Sequence, residues 1–168
     1  CFEVEARLRE LLDIPVFHDD QHGTAIVVLA ALRNSLRLVN KKLEDVKIVM
    51  SGAGAAGTAI ARLLVLSGAK NIIAYDKDGV ICKTSAGEGD MRRWFIENSN
   101  PTDFQGDIHQ AMIGADVFIG VSAPGVLNEA DIAAMAKGSI VFALANPTPE
   151  IDPAIARKYA TVVATGRS

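Results

Sequence analysis

The chain has 168 residues, of which 49% are hydrophobic, and its formal net charge is −3; such a length and composition suit one domain with a substantial core. Its lysines and arginines are scattered rather than gathered into a stripe, so we expect no nucleic-acid partner. No apolar run approaches the ~20 residues of a membrane-spanning helix, so we expect no membrane partner.

The chain ends and the cysteines suggest the setting of the protein. The chain opens at Cys1 without a methionine and closes soon after an apolar run at 161–165, so we expect it to be a piece of a longer protein. Cys1 and Cys82 have neither metal-binding nor disulfide spacing, and Cys82 is expected to be a buried free thiol. These features predict a reducing, cytoplasmic setting.

The first quarter of the chain is expected to hold two helices with a polar stretch between them. Residues 2–12 place apolar side chains at helical spacing among charged ones, which predicts an amphipathic helix. Pro15 marks 14–17 as a short extended segment. After the polar stretch 18–24, residues 25–39 read as a helix whose first two turns are apolar nearly all round, so they should be buried on more than one side.

The chain is organised around a buried strand at 48–50, followed by Gly52, Gly54 and Gly57 and then by helical spacing at 58–67. In such a G-x-G-x-x-G turn the first glycine permits the tight turn, and the second lets a pyrophosphate approach the backbone. The third lets the helix pack closely against the sheet. The helix N-terminus then offers N–H groups and a positive dipole end to the phosphates.

An acidic residue follows the next apolar run at the place that a dinucleotide site requires. Residues 71–75 read as a second strand. Asp76 follows Gly57 by about the ~20 residues at which a carboxylate meets the adenosine ribose hydroxyls. Together these features predict a dinucleotide site. The alternative is a packing turn followed by an incidental acid.

The segment 83–107 interrupts the regular pattern. It is rich in glycine, serine, asparagine and charged residues, with a weakly helical part at 91–97. We expect Trp94 and Phe95 to anchor it to the body. We otherwise interpret it as a mobile surface insertion and assign it no function.

Alternating strands and helices resume after this segment. We expect strands at 116–121, 139–144 and 161–165, and helices at 107–112, 129–136 and from residue 152 onward. Asn128 and Asp131 predict an N-cap pair for the second of these helices, and Asp152 with Pro153 predicts an N-cap and N1 pair for the third. His109 is expected at the surface.

This alternation predicts an α/β fold, a Rossmann-like, doubly wound, mostly parallel sheet with helices on both faces and right-handed connections. Ligands in such sheets bind beyond the carboxyl ends of the strands. Three of the strands end in unusual residues, at the glycine turn, at 122–125 and at 145–147. We expect these three segments to outline one crevice.

The polar stretch before the second helix allows two interpretations. Asp19 and Asp20 are adjacent and would point to opposite sides of an extended chain. One could therefore coordinate Mg²⁺ or Mn²⁺, which prefer carboxylate oxygens, while the other faces a reacting group. Alternatively, one of the two caps the helix, and His18 and His22 are surface residues. The residues alone do not decide between these interpretations.

Four motifs together resemble the bacterial malic enzymes: Phe-His-Asp-Asp-Gln-His-Gly-Thr at 17–24, Ser-Gly-Ala-Gly-Ala-Ala-Gly at 51–57, Asp76, and Ala-Asn-Pro-Thr-Pro-Glu at 145–150. The resemblance covers the whole chain, including its Cys-Phe-Glu-Val-Glu opening and its Thr-Gly-Arg-Ser close. The Phe-x-Asp-Asp-x-x-Gly-Thr motif is specific, whereas the glycine motif is not. The resemblance implies oxidation of (S)-malate with NAD(P)⁺ and decarboxylation to pyruvate, using Mn²⁺ or Mg²⁺.

The resemblance also implies roles for single residues. Asp20 would be the third metal carboxylate, and Asp19 would support the catalytic lysine. The implied cofactor-binding residues are Gly52, Ala53, Gly54, Ala55, Ala56, Gly57, Asp76, Ser122 and Asn146. Within this set, 53–56 would hold the pyrophosphate, and Asn146 would lie beside the nicotinamide ribose and the substrate. NAD⁺ is expected over NADP⁺ because the charge of Asp76 would repel a 2′-phosphate, although Lys77 could soften that preference.

The resemblance assigns residues 1–168 to an NAD(P)-binding domain, with 46–168 as the Rossmann core and 1–24 as the link to the substrate and metal site. The family's catalytic Tyr and Lys and its Glu-Asp metal pair would precede this chain, and a substrate-binding Asn-rich segment would follow it. We therefore expect the isolated chain to be inactive. For the intact enzyme we expect malate and pyruvate as small-molecule partners and a homodimer or higher homo-oligomer.

Two alternatives to this function stay open. One is another two-domain NAD-dependent dehydrogenase, of the amino-acid or methylenetetrahydrofolate type. The other is a non-catalytic NAD-sensing module. A malate-dependent NADH assay distinguishes both from a malic enzyme.

Overall fold

A computed structural model of the chain describes residues 2–85 and 89–166. Within these two ranges lie seven α-helices: α1 (Phe2–Leu11), α2 (Thr24–Leu38), α3 (Ala55–Leu66), α4 (Asp90–Asn98), α5 (Ile108–Met112), α6 (Glu129–Ala133) and α7 (Pro153–Ala156). The same part of the chain forms six strands: β1 (Lys47–Ser51), β2 (Asn71–Asp76), β3 (Gly79–Val80), β4 (Val117–Gly120), β5 (Ile140–Ala143) and β6 (Val162–Thr165). A π-helical turn, Asp19–Gly23, leads directly into α2. Cys1 and 86–88 lie outside the described residues, as do Arg167 and Ser168 of the close.

The strands form one sheet in the order β3-β2-β1-β4-β5-β6. Every neighbouring pair is parallel except β2 and β3, which form a short antiparallel ribbon. In the centre of the sheet, Val49 of β1 lies opposite Ile73 of β2 and Phe118 of β4. The strand order reverses direction between β1 and β4, and such a switch point opens a crevice at the carboxyl ends of the strands.

Helices cover both faces of the sheet, so β1, β4 and β5 are buried along nearly their whole length. Because successive strand residues point to opposite faces, Ile48 and Met50 pack into one core beneath α2, α3 and α4. Val49 packs into the other core, against side chains of α5, α6 and α7. The predicted doubly wound, mostly parallel α/β fold is confirmed.

The starts of α6 and α7 follow local sequence signals. Asn128 and Asp131 form the predicted capping box of α6, and Asp152 caps α7 with Pro153 at its first position. α6 ends at Ala133, before the predicted end at residue 136. His109 is half exposed, as expected, and its Nδ1 lies 2.9 Å from the buried carboxylate of Asp131.

The segment 83–107 is more closely integrated into the fold than the sequence indicates. Phe95 of α4 is fully buried in the core, and Trp94 packs beside it with the guanidinium of Arg62 5.4 Å from its ring. The predicted anchors are confirmed. The interpretation of the segment as a surface insertion is wrong at Phe95, because this side chain is part of the core on one face of the sheet. Cys82 is a buried free thiol, as predicted.

Across residues 2–85 and 89–166, the helices are too short or too polar to cross a membrane.

Candidate dinucleotide site

A cleft of about 1340 Å³ opens at the carboxyl ends of the strands. The glycine turn after β1 forms its floor, and the end of β2 and helix α4 form one side. Residues 105–108, Ser122, Ala123 and Val126 also line it. The cleft therefore lies at the switch point of the sheet, where dinucleotides bind in this class of fold.

The three glycines of the turn meet different steric conditions. Gly52 has φ +107°, and a Cβ there would lie 2.7 Å from the carbonyl oxygen of Val121. A Cβ on Gly57 would lie 1.8 Å from the carbonyl oxygen of Gly52, so the helix packs directly on the turn. At Gly54, by contrast, a Cβ would meet nothing within 4 Å. Packing thus requires glycine at 52 and 57, whereas the space at Gly54 is open for a ligand.

The N-terminus of α3 faces this open space. The helix begins at Ala55, before the predicted start at residue 58, and Gly54 is an N-cap without a side-chain hydrogen bond. The backbone amides of the first turn and the helix dipole therefore favour a bound anion. The open space at Gly54 and the free amides at the start of α3 therefore fit a pyrophosphate.

Asp76 ends β2 on the side of the cleft and is mostly buried. Its Oδ1 accepts a hydrogen bond of 2.9 Å from the backbone N–H of Asp78. Its Oδ2 is paired with the guanidinium of Arg92, which comes from α4. The same guanidinium lies 3.8 Å from the carboxylate of Asp78. The carboxylate predicted to bind ribose is thus already charge-paired within the chain.

Ser122 lies at the other side of the cleft, after β4. Its hydroxyl lies 2.7 Å from the hydroxyl of Ser51 at the end of β1. The fully buried carboxylate of Glu150 accepts hydrogen bonds from the backbone N–H of Ser122 (2.9 Å) and of Ala145 (3.0 Å). Glu150 therefore ties together the segments that follow β4 and β5.

Asn146 directly follows Ala145 and precedes a cis peptide bond to Pro147. Its side chain is exposed. Of the residues that the structure describes, those lining the cleft include Ser122 but not Asn146. Of the predicted cofactor-binding residues, Gly52, Ala53, Gly54, Asp76 and Ser122 thus line one cleft, whereas Ala55, Ala56, Gly57 and Asn146 do not line it.

Tyr75 also lines the cleft, but its hydroxyl is committed to the backbone. Its single O–H is shared between the carbonyl oxygens of Gly106 and Asp107, which lie 3.0 and 2.8 Å away. Burial, reinforced by the nearby charge of Asp107, raises the pKa of Tyr75 above its ordinary value. This phenol is therefore held protonated and cannot act as a base at neutral pH.

Asp19 and Asp20 lie in the π-helical turn, which packs against α3. Neither the turn nor α2 begins with a side-chain cap, so the interpretation of one aspartate as a helix cap is wrong. The side chain of Asp20 is 93% exposed, with His18 Nε2 4.0 Å away. Asp19 is also exposed, and its Oδ1 lies against Gly23. Within residues 2–85 and 89–166, no three His, Cys, Asp or Glu side chains come close enough to hold a metal ion.

Comparison with known proteins gives one consistent result. Residues 21–166 match the family model described as "Malic enzyme, NAD binding domain". This chain belongs to that family. The resemblance seen in the sequence motifs is therefore confirmed.

Two malic enzymes from bacteria illustrate the relationship. The NAD-dependent malic enzyme of Geobacillus stearothermophilus is 53% identical over 168 residues, which cover 100% of this chain and 35% of that protein. The NADP-dependent malic enzyme of Halomonas elongata is 45% identical over 172 residues, covering 100% of this chain and 40% of its own length. The chain thus spans less than half the length of these malic enzymes.

The fold agrees as well. The crystal structure of the NAD-dependent malic enzyme of Thermotoga maritima superposes with a TM-score of 0.95 at 46% identity, over 100% of this chain and 45% of that chain. Relatives named for NAD and relatives named for NADP both occur in the malic enzyme family.

Two residues of the site were missed in the sequence. Arg92 lies in the segment that received no function, and only the folded chain shows that α4 turns it toward Asp76. Glu150 closes a motif that the sequence singled out, but the motif did not show that its carboxylate is buried. The sequence did offer one signal for Glu150: it is a single acid directly after a buried strand and a proline-rich turn.

Proposed function

We propose that this chain is the dinucleotide-binding domain of a malic enzyme, which oxidises (S)-malate with NAD(P)⁺ and decarboxylates the product to pyruvate and CO₂. The observation that carries the proposal is the joint presence of an open Gly54, an uncapped α3 N-terminus and Asp76 in one cleft. The family model and the malic enzymes that match the whole chain support it. Residues 1–168 would form this domain, with 46–168 as its core and 1–24 as the link to the reacting centre.

The cofactor-binding residues would act as follows. The backbone of 53–56 would bind the pyrophosphate, because the first amides of a helix are aligned donors with a favourable dipole. Asp76 would accept hydrogen bonds from the adenosine ribose hydroxyls. Gly52 and Gly57 would keep the turn close enough to the sheet for both contacts. Ser122 and Asn146, which follow β4 and β5, would border the nicotinamide half.

The metal-binding part of the proposal concerns the π-helical turn. Asp20 would supply one carboxylate to a Mg²⁺ or Mn²⁺ site, and Asp19 would support the catalytic lysine of the family. Such an ion, when bound, acts as a Lewis acid toward the substrate oxygens. The strong exposure of Asp20 supports this role, because a ligand that shares its metal with groups outside this chain must be accessible.

We infer that NAD⁺ is preferred over NADP⁺, because a carboxylate at the ribose site repels a 2′-phosphate. The measurement is a titration of the intact enzyme with both cofactors. A lower dissociation constant for NAD⁺ is expected, and equal constants would contradict the preference.

We also infer a homo-oligomeric intact enzyme in a cytoplasmic setting. The large apolar side chains exposed on α1 and α2, such as Leu11 and Val27, support the oligomer, which light scattering tests.

The function itself is tested by NADH formation in the intact enzyme with malate and Mn²⁺. Malate-dependent turnover with release of pyruvate is the expected result. Turnover with an amino acid or a folate in place of malate would show a different dehydrogenase. NAD⁺ binding without turnover of any 2-hydroxy acid would show an NAD-sensing module instead.

A further inference from the structure

Arg92 occupies an unusual position for a positively charged side chain. It projects from α4 to the end of β2, where its guanidinium pairs with Asp76 at the edge of the cleft. The side chains of Arg92 and Asp76 are only 15% and 19% exposed. The next residue, Arg93, is 70% exposed and lies 3.9 Å from Asp90 on the same helix. Of these two adjacent arginines, Arg92 thus lies at the predicted ribose site, whereas Arg93 lies at the surface.

The guanidinium retains unused hydrogen-bonding capacity there. A guanidinium carries five N–H donors, and Nε of Arg92 is buried without a partner among the described residues. Asp76 also keeps free acceptor positions, because each of its oxygens has one described partner and two lone pairs. A ribose hydroxyl could therefore bind Asp76 without breaking the ion pair.

The pair changes the electrostatics that decide between the two cofactors. A lone carboxylate at this point would repel the two negative charges of a 2′-phosphate strongly, because the site is partly buried. A guanidinium in contact with the carboxylate offsets its charge and is itself the preferred partner of phosphate oxygens. The ion pair thus offers the carboxylate of Asp76 as an acceptor for a hydroxyl and the guanidinium of Arg92 as a donor to a phosphate.

We propose that Arg92 is a specificity-determining residue for the cofactor. It holds Asp76 in place for the 2′-hydroxyl of NAD⁺, and it limits the discrimination against NADP⁺ by offering its guanidinium to the 2′-phosphate. This inference rests on the proposed dinucleotide site. It assigns a binding role to the segment 83–107, whose sequence suggested none.

The simplest competing explanation is that the pair only fastens α4 to the sheet. In that case loss of Arg92 lowers stability and weakens both cofactors by the same factor. A specificity role predicts unequal changes, and it predicts that the effect of Asp76 depends on Arg92. A double-mutant cycle separates the two explanations.

The experiment measures dissociation constants of NAD⁺ and NADP⁺ by calorimetry in the intact enzyme, for the wild type, D76N, R92Q and D76N/R92Q. D76N is expected to bind NADP⁺ roughly tenfold more tightly than the wild type, since one charge-assisted hydrogen bond to phosphate replaces a repulsion. Relative to the wild type, D76N/R92Q should show no such gain, because the guanidinium that would bind the phosphate is absent. R92Q alone should weaken NADP⁺ more than NAD⁺.

R93Q is the matched control, because it removes the same charge from the adjacent, exposed position. It should leave the ratio of the two dissociation constants unchanged. If R92Q does not fold, as judged by circular dichroism, R92M repeats the cycle with an apolar stem that fills the same space.

Two results would overturn the inference. One is a D76N/R92Q enzyme that binds NADP⁺ as tightly as D76N does, since the gain over the wild type would then not need Arg92. The other is an equal weakening of both cofactors by R92Q. Failure of the wild type to bind either cofactor is a different result, because it would overturn the dinucleotide site and this inference with it.

Discussion

The buried carboxylate of Glu150 holds the backbone N–H of Ser122 at 2.9 Å, joining the end of β4 to a residue 28 positions later in the chain. Its second oxygen accepts the N–H of Ala145, at 3.0 Å, after β5. The carboxylate also lies so close to Gly120 that a Cβ there would come within 2.3 Å of it. Glu150 is therefore enclosed by the segments that follow β4 and β5, on the side of the cleft where Ser122 lies.

Replacement of Glu150 by glutamine should destabilise the fold. Each carboxylate oxygen now receives a backbone N–H, whereas a glutamine offers only one oxygen and turns an NH₂ group toward the other N–H. An unsatisfied buried donor costs about 1–3 kcal/mol. The free energy of unfolding in urea should fall by that amount. E44Q, at an exposed position, is the control, and equal stability of the two variants would contradict the role of Glu150.

The glycine turn allows a matched comparison between two alanine variants. Gly57→Ala places a Cβ 1.8 Å from the carbonyl oxygen of Gly52, and such overpacking costs about 1–3 kcal/mol or more. Gly54→Ala meets open space and should cost less than about 1 kcal/mol, the loss of a favourable N-cap residue. G54A should nevertheless weaken NAD⁺ binding, because its methyl group would occupy the space proposed for the pyrophosphate.

Urea unfolding and an NAD⁺ titration check both halves of this comparison. We expect G57A to have the lower free energy of unfolding and G54A to have the weaker affinity for NAD⁺. If G54A bound NAD⁺ as tightly as the wild type, the pyrophosphate would not lie over this turn.

The glycine turn could be predicted from sequence because its requirements are local. A positive φ at Gly52 and close backbone contact at Gly57 involve residues near one another in the chain. The alternation of buried strands and helices predicted the parallel sheet for the same reason. Boundaries moved by a few residues, as at the start of α3, because an extended Gly54 can begin a helix before the apolar periodicity shows it.

The contacts that complete the site are long-range and could not be predicted in this way. Arg92 reaches Asp76 across 16 positions, and Glu150 reaches Ser122 across 28. No local pattern distinguishes Arg92 from Arg93, and only the packing of Phe95 into the core fixes which of them faces the cleft. The helix-cap interpretation of Asp19 and Asp20 was wrong because the chain enters α2 through a π-helical turn.

The isolated 168-residue chain should bind NAD⁺ but should not turn over malate. The cleft offers no competent general base in Tyr75, whose single O–H is shared between two backbone carbonyls, and the family's catalytic Tyr and Lys are proposed to lie outside this chain. A missing general acid or base typically removes about 10²–10⁴ in rate. The measurement is NADH absorbance with malate and Mn²⁺. Malate-dependent NADH above a protein-free control would contradict this prediction.

Asp20 and Asp19 should have separable effects in the intact enzyme. Asp20 is 93% exposed and is one carboxylate, and a single protein carboxylate holds Mg²⁺ or Mn²⁺ weakly, with most of the ion's water retained. Crystals of this chain alone should therefore show no ordered ion on Asp20. In the intact enzyme, where other ligands are proposed to complete the octahedron, Asp20→Ala should weaken Mn²⁺ binding roughly tenfold or more and lower turnover. NAD⁺ affinity should change little, because the glycine turn and Asp76 are proposed to determine it.

Asp19→Asn is the matched variant at the adjacent position. Its carboxylate is proposed to support the catalytic lysine rather than the metal, so D19N should bind Mn²⁺ nearly as well as the wild type while turnover falls. Calorimetry with Mn²⁺ and steady-state kinetics on the two variants separate the roles, since metal affinity should respond to Asp20 alone and turnover to both. If D20A bound Mn²⁺ as tightly as the wild type, Asp20 would not be a metal ligand, and its exposure would simply be that of a surface residue in the π-helical turn.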